Sequence, residues 1–318
     1  MPTFPKPKAR WPFTVATEVK ALRAHKATRG VPDKQDDELL VCTWNVANLG
    51  AQQRENDDLA LIAEILRWFD VIALQECRDN FADLVRIVQL MGKRYRYVMS
   101  DAAGNDERMV FIYDAEKVSL LEEVGEIALP PAQLGKVKLT SHPATKFTAF
   151  DRNPYLASFQ LGRRLAVQLV NVHLYYGTPK QLPRRAIETA AVARWCDLRR
   201  KSPFSGAREI IALGDFNMPK AKADGGNIVY DALTRKGLLL PAHATQVATA
   251  IASANQYDQV AIYKSTSDRY DVDTGVYDFD QVIFAAHWSP KKKKAFQAYL
   301  RYYISDHRPM WVRLKRKG

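Results

Sequence analysis

Five short polar clusters interrupt or end strongly apolar runs: Thr43-Trp44-Asn45-Val46, Leu74-Gln75-Glu76, Asn171-Val172-His173-Leu174, Gly214-Asp215-Phe216-Asn217 and Ser305-Asp306-His307. A carboxylate such as Glu76 at the end of an apolar strand is costly unless a cation meets it. Oxygen donors of this kind suit a hard divalent ion that keeps part of its water, Mg²⁺ above all, with Mn²⁺ as a substitute. Asn45 offers a neutral carbonyl for the same ion and Asp306 a second carboxylate. In an extended segment residues i and i+2 point to the same side, so Asp215 and Asn217 can address one group together. His307 titrates in the range that proton transfer near neutrality needs. Charge neutralisation, a positioned water and a stabilised leaving oxygen are what hydrolysis of a phosphate ester requires.

Taken in this order, the clusters resemble those of the endonuclease/exonuclease/phosphatase superfamily, the deoxyribonuclease-I-like metal-dependent phosphoesterases. Its members include pancreatic deoxyribonuclease, abasic-site endonucleases, neutral sphingomyelinases and inositol polyphosphate 5-phosphatases. The resemblance implies a metal site at Glu76, assisted by Asn45; Asp306 could bind the metal or a water. It assigns Asp215 to positioning or deprotonating the attacking water, Asn217 to hydrogen bonding the phosphoryl centre and His307 to acid–base work, with the ring oriented by an earlier carboxylate. Two carboxylates compete for that last role. Asp258, in Tyr257-Asp258-Gln259-Val260, matches the family pattern better, and Asp280, in Phe279-Asp280-Gln281-Val282, lies nearer the histidine in sequence. His173 resembles the second histidine of the deoxyribonuclease and sphingomyelinase branches. Asp151-Arg152-Asn153-Pro154-Tyr155 resembles the segment that supplies a phosphate-binding arginine, which makes Arg152 the candidate. Arg108, in Glu107-Arg108-Met109-Val110, matches a common strand of the family, with an ordinary salt bridge as an equal reading. Two departures stand out: Asn105-Asp106 replaces the tyrosine that deoxyribonucleases carry before that strand, and Ala212 replaces the tryptophan of the inositol phosphatase signature Trp-x-Gly-Asp-x-Asn.

The elements that must position these groups are readable from periodicity. Residues 39–44 and 71–74 are continuous apolar runs that predict buried strands, and Leu59, Ile62, Leu66 and Phe69 fall at helical spacing between them. A helix is predicted over 80–91, strands over 95–99 and 109–113, and a long loop over 128–150. Two runs at 155–161 and 165–172, broken by Gly162-Arg163, predict a hairpin. A long helix over 180–200 and a buried strand over 209–213 follow. After Asn217 the pattern is loop-rich until strands at 281–284 and 309–314. Strands separated by both helices and hairpins point to paired mixed sheets. The resemblance implies a four-layer α/β sandwich, two mixed β-sheets packed face to face and flanked by helices, over residues 39–318. Residues 1–38 read as a basic N-terminal extension and linker, with a short helix near 18–26.

The chain has 318 residues, 47% of them hydrophobic, which is ample for one large core. It holds no apolar run of the length, about eighteen residues, that a membrane helix needs, and no secretory signal is expected from residues 1–13. The three cysteines, Cys42, Cys77 and Cys196, lack metal spacing and read as buried thiols of a cytoplasmic or otherwise intracellular protein. The formal charge is +12 and basic residues gather at Arg163-Arg164, Arg184-Arg185, Arg199-Arg200-Lys201, residues 291–294 and Lys315-Arg316-Lys317. That excess favours a polyanion. The expected activity is therefore a Mg²⁺-dependent phosphodiesterase of nucleic acid, DNA before RNA, acting as an endonuclease. A phosphomonoesterase or phospholipase of inositol phosphate or sphingomyelin type is the alternative, followed by a non-catalytic nucleic-acid-binding member.

Overall fold

The computed structural model describes residues 3–163, 165–220, 227–243 and 245–318, so Arg164 of one basic run lies outside the described residues. Among the described residues twelve strands form two mixed sheets of six. The first contains β1 (Glu38–Leu49), β2 (Val71–Cys77), β3 (Tyr95–Met99), β4 (Arg108–Asp114), β11 (Tyr270–Val276) and β12 (Met310–Arg316), in the order β11-β12-β1-β2-β4-β3. The second contains β5 (Val118–Glu126), β6 (Tyr155–Leu161), β7 (Leu165–His173), β8 (Glu209–Asp215), β9 (Leu238–Leu239) and β10 (Asp258–Tyr263), in the order β5-β6-β7-β8-β10-β9. At the centre of each lies one parallel pair, β1 with β2 and β7 with β8. Helices α1 (Val15–Thr28), α2 (Asn56–Leu66), α3 (Ala82–Met91) and α8 (Lys293–Tyr303) cover the first sheet, and α5 (Leu182–Arg200) and α6 (Ile228–Thr234) the second. Two short helices, α4 (Pro131–Leu134) and α7 (Lys264–Arg269), are also present. This is the four-layer sandwich.

Strand β1 shows why the layers form. Leu39 and Val41 join the apolar layer between the sheets, whereas Leu40, Cys42 and Trp44 face the helices outside. A strand covered on both faces must be apolar at every position, and the period of two then sorts its side chains between two cores. Parallel pairing at both sheet centres puts the ends of β1, β2, β7 and β8 at one end of the molecule. The sheets are tied there by polar groups: Gln75 donates to the Asn171 side-chain oxygen at 2.6 Å, and Asn171 donates to the Leu74 carbonyl at 3.0 Å.

The region before residue 39 is docked rather than trailing. Arg10 forms a two-pronged pair with buried Asp58 at 2.9 and 3.0 Å. Trp11 stacks on Tyr299 with centroids 3.8 Å apart, Leu22 is fully buried, and Glu18 accepts the Phe284 amide at 2.8 Å. The stretch after Asn217 is also richer than its sequence pattern suggests, since it contains β10, β11 and α8. The strand expected at 281–284 is instead a 3-10 turn, Phe279–Gln281, leading to Phe284 in the left-handed region. Capture of that backbone by Glu18 is a long-range contact that local periodicity does not report. Among the described residues no helix is long and apolar enough to cross a membrane, and all three cysteines are free and buried.

Candidate active site

The clusters converge on a cleft of about 280 Å³ at the strand ends, lined by Glu76, His173, Asp215, Asn217, Asp306 and His307 together with Phe4, Tyr176, Tyr257 and Arg301. The acid, amide and histidine side chains arrive from the ends of β2, β7 and β8 and from the loop before β12, so local backbone geometry does the aiming. Glu76 and Asn217 have φ of 59° and 51°, and such left-handed residues turn a side chain out of the pleat where a regular strand would bury it. Gly214 has φ of 131°, and a Cβ there would lie 2.2 Å from the Val172 carbonyl oxygen. Only glycine allows β8 to run this close to β7 just before Asp215.

His307 is held on three sides. Ser305 donates to the Asn45 carbonyl at 2.7 Å and accepts the His307 amide at 2.9 Å, while Trp44 donates to the His307 carbonyl at 2.7 Å. Its ring nitrogen Nδ1 lies 2.8 Å from Asp258, which is fully buried. Asp280 is elsewhere, clamped by both arms of Arg308 at 2.6 and 2.7 Å. Burial alone would lower the pKa of His307, but the charge and hydrogen bond of Asp258, with Asp215 and Asp306 beyond, raise it well above the usual imidazole value.

His173 has a matching partner that sequence reasoning passed over. Its Nδ1 lies 3.0 Å from Glu107, a buried residue at the edge of β4. Burial works to raise the pKa of Glu107, yet the His173 hydrogen bond and the charges of His173 and Arg152 hold it at about 2. The signal lies in Glu107-Arg108, since an acid beside an apolar strand needs a partner, but the neighbouring arginine offers a local one. Arg108 itself pairs with Asp79 and Asp101, both at 3.1 Å. The free Nε2 atoms of the two histidines face the same carboxylate: Asp215 is 3.7 Å from His173 and 3.9 Å from His307.

Arg152 does not line the cleft. It is 4% exposed, donates to Glu107 at 2.9 Å and to the His173 carbonyl at 3.3 Å, and so stands behind His173. The phosphate-binding role implied for Arg152 needs a guanidinium facing the substrate, and here the ion pair with Glu107 turns it away. Glu188 of α5 supports the same wall by accepting the backbone amides of Asp151 and Tyr175 at 3.3 and 3.2 Å. Burial pushes its pKa up to about 7.

Whether the residues present fit a divalent cation can be judged from Glu76. It is 4% exposed, and burial raises its pKa against the lowering effect of His173. Glu107 and Asp306 add negative charge nearby, and its nearest partners are the Asn45 amide at 2.9 Å, the Asn48 backbone amide at 3.0 Å and His173 at 3.8 Å. Among the described residues Glu76 meets no lysine or arginine, and a buried carboxylate held only by amides and a histidine fits the donor set of a hard-cation site. Asn45 turns its NH₂ toward Glu76 and Asp215 and its oxygen toward the Ala47 amide, so the amide must rotate to offer oxygen to an ion. Asp215, Asp258 and His307 also bring ligand atoms within 4.8 Å of one another. The 2.8 Å contact between the latter two is better read as a shared ring proton, which leaves Glu76 as the candidate ligand for a cation.

A family model described as Endonuclease/Exonuclease/phosphatase family matches residues 42–307. Solved structures with the same fold include truncated TDP2 of Caenorhabditis elegans, at 16% identity and a TM-score of 0.57, covering 89% of this chain and 100% of that one. A mannosyl-6-phosphatase of Bacteroides thetaiotaomicron matches at 19% identity and a TM-score of 0.54, covering 87% and 99%. TDP2 of D. rerio complexed with single strand DNA product matches at 16% identity and a TM-score of 0.53, covering 87% and 99%. No curated protein matches the chain by sequence. At these identities the structural likeness carries the fold alone.

Proposed function

The chain belongs to the endonuclease/exonuclease/phosphatase family, and on that premise we propose that it is a Mg²⁺-dependent phosphodiesterase of nucleic acid, cleaving DNA by direct attack of water. The observation that carries this reading is the pair of histidines, each backed by its own buried carboxylate, converging on Asp215 beside Glu76. Glu76, with Asn45 and Asp306, would hold the cation, whose chemistry is to offset the phosphate charge and stabilise the departing oxygen. Asp215 accepts a hydrogen bond from the attacking water and aims it at phosphorus. Asn217 donates one side-chain N–H to the Leu174 carbonyl at 2.7 Å, which locks the amide and leaves a second N–H for a phosphoryl oxygen. His307, kept protonated by Asp258, donates at Nε2 to the charge that develops on phosphate or leaving group. His173 is oriented in the same way by Glu107, and Arg152 fixes that glutamate.

Nucleic acid is favoured by the +12 charge, which releases counterions when phosphates are bound. The fit of a TDP2 relative to single strand DNA product agrees with this reading. A modest cleft of about 280 Å³ favours a second one, a phosphomonoesterase or phospholipase acting on a single phosphate ester. Incubation of the protein with supercoiled plasmid, linear duplex and single strands, with Mg²⁺ and with EDTA, tests the first. Release of inorganic phosphate from inositol or sugar phosphates, with all nucleic acids left intact, would replace it by the second.

A further inference from the structure

With Arg152 committed to Glu107, a different guanidinium faces the cleft. We infer that Arg301 of α8, held over the ring of Phe4, is the phosphate-binding arginine of this site, and that it takes the phosphate next to the scissile one in a nucleic-acid chain. This inference rests on the nucleic-acid reading above.

Apart from the histidines, Arg301 is the only cationic side chain among the described residues that line the cleft, against Glu76, Asp215 and Asp306. Its Nε pairs with Asp306 at 2.9 Å and its side chain is 46% exposed. The guanidinium carbon sits 3.4 Å above the centre of the Phe4 ring. One face and one N–H are thereby fixed, while the remaining N–H groups stay available in the fork geometry that matches phosphate oxygens. Holding the group in advance removes part of the ordering cost that a free surface arginine would incur on binding.

Phe4 is an anchored platform. Lys6 donates to Gln53 at 2.9 Å, Arg10 is clamped on Asp58, and the Trp11 amide donates to the Tyr299 hydroxyl at 3.2 Å. Tyr299 lies on α8 itself, so the arm and the helix bearing Arg301 form one packed unit. The direction away from the cleft is also marked. Lys293, Gln297 and Arg301 recur at every fourth residue and share one side of α8. Lys293 lies about 12 Å from Arg301 along the axis, and the lysines at 291–294 are exposed. Positive charge at a helix N-terminus opposes the helix dipole; a polyanion lying along this side would offset that cost. Arg301 sits at the inner end of the track, beyond the groups assigned to the scissile phosphate.

The test uses the whole chain and two probes, a fluorescein-labelled eight-nucleotide oligothymidylate and bis(p-nitrophenyl) phosphate, a diester with no neighbouring phosphate. Binding of the oligonucleotide is read by anisotropy in EDTA, so that turnover does not enter, and kcat/KM is read for both probes with Mg²⁺. Losing one charge-assisted pair should weaken oligonucleotide binding about 10- to 100-fold in Arg301→Ala. The salt slope should fall by about one. The ratio of kcat/KM between oligonucleotide and small diester should fall at least about tenfold, mainly through KM. Arg301→Lys should recover only part of the loss, and Phe4→Ala should show a smaller loss of the same kind. Arg235→Ala, which removes equal charge at an exposed position outside both the cleft and the basic clusters, should stay within about twofold of wild type. Unchanged binding and ratio in Arg301→Ala overturn the inference while leaving the nuclease reading intact. Equal losses on both probes would mean that Arg301 acts at the scissile centre, and a rise in oligonucleotide turnover for Phe4→Ala would make the arm a plug; either result overturns it. A wild-type chain that hydrolyses the small diester yet neither binds nor cleaves the oligonucleotide removes the nucleic-acid reading and the inference together.

Discussion

Replacing Asp258 by Asn preserves the shape of a fully buried side chain and removes its charge. Its oxygen lies 2.8 Å from Nδ1 of His307, where a carboxylate both fixes the ring and stabilises its positive charge. Unit charges about 4 Å apart attract by about 4 kcal/mol at an effective dielectric of about 20. Asp215, 3.9 Å from Nε2, remains and retains part of that stabilisation. The net loss expected is about 3 kcal/mol, or roughly a hundredfold to a thousandfold in rate. The sign of the pH effect follows from the same balance. Burial lowers the pKa of His307, and Asp258 leads the group of charges that reverses it. Without that charge the ring loses its proton at lower pH, so the alkaline limb of the kcat profile moves toward acid by more than about one unit. Single-turnover rates across the pH range measure both quantities. Because histidine and carboxylate act as a unit, the double variant with His307→Ala should be little slower than His307→Ala alone. Asp280→Asn, which breaks the clamp on Arg308, should lower stability and leave the pH profile in place. Near-wild-type turnover and an unmoved profile in Asp258→Asn would refute the reasoning.

Three further outcomes are expected. Glu76→Gln should raise the Mg²⁺ concentration needed for half-maximal rate by more than about tenfold, because the buried charge that attracts the ion is gone; full activity in excess EDTA would sink the metal reading. Arg152→Ala leaves Glu107 buried without its closest guanidinium and should cost about 3 kcal/mol or more of unfolding free energy, whereas Glu107→Gln should lower kcat with little change in KM; denaturant titration and steady-state kinetics separate the two. Glu188 has a folded pKa of about 7 against an ordinary 4.5, so the folded state holds its proton more tightly. Its stabilising effect is complete below about 4.5 and is lost as pH rises through 7. Glu188→Gln should therefore match wild type in acid and exceed it above neutrality by up to about 3 kcal/mol; thermal melts that show no pH-dependent difference would dismiss this account.

The sandwich was legible because its central strands are apolar at every position. Residues 39–42 alternate between two cores, and only a strand covered on both faces requires that. Strand β11 was not legible: it lies at the sheet edge beside β12, and its polar Asp271 and Asp273 dilute the alternation. Helix α8 was hidden in another way, since its opening lysines resemble a solvated run while Phe296, Tyr299, Leu300 and Tyr303 are buried behind them. That burial depends on Trp11, Phe13 and Phe284, partners up to 288 residues away, and no local window contains them. The same distinction divides the site. Residues at strand ends, such as Glu76, Asp215 and His173, were identifiable because a charge beside an apolar strand needs a reason that is itself local. Arg152 and Arg301 were not distinguishable in this way. Both are arginines near aromatic residues and acids, and which one faces the cleft is decided by Glu107 drawing one inward and Phe4 and Asp306 holding the other at the rim. A motif can therefore supply the correct residue type while a buried ion pair several strands away determines which copy of that type meets the substrate.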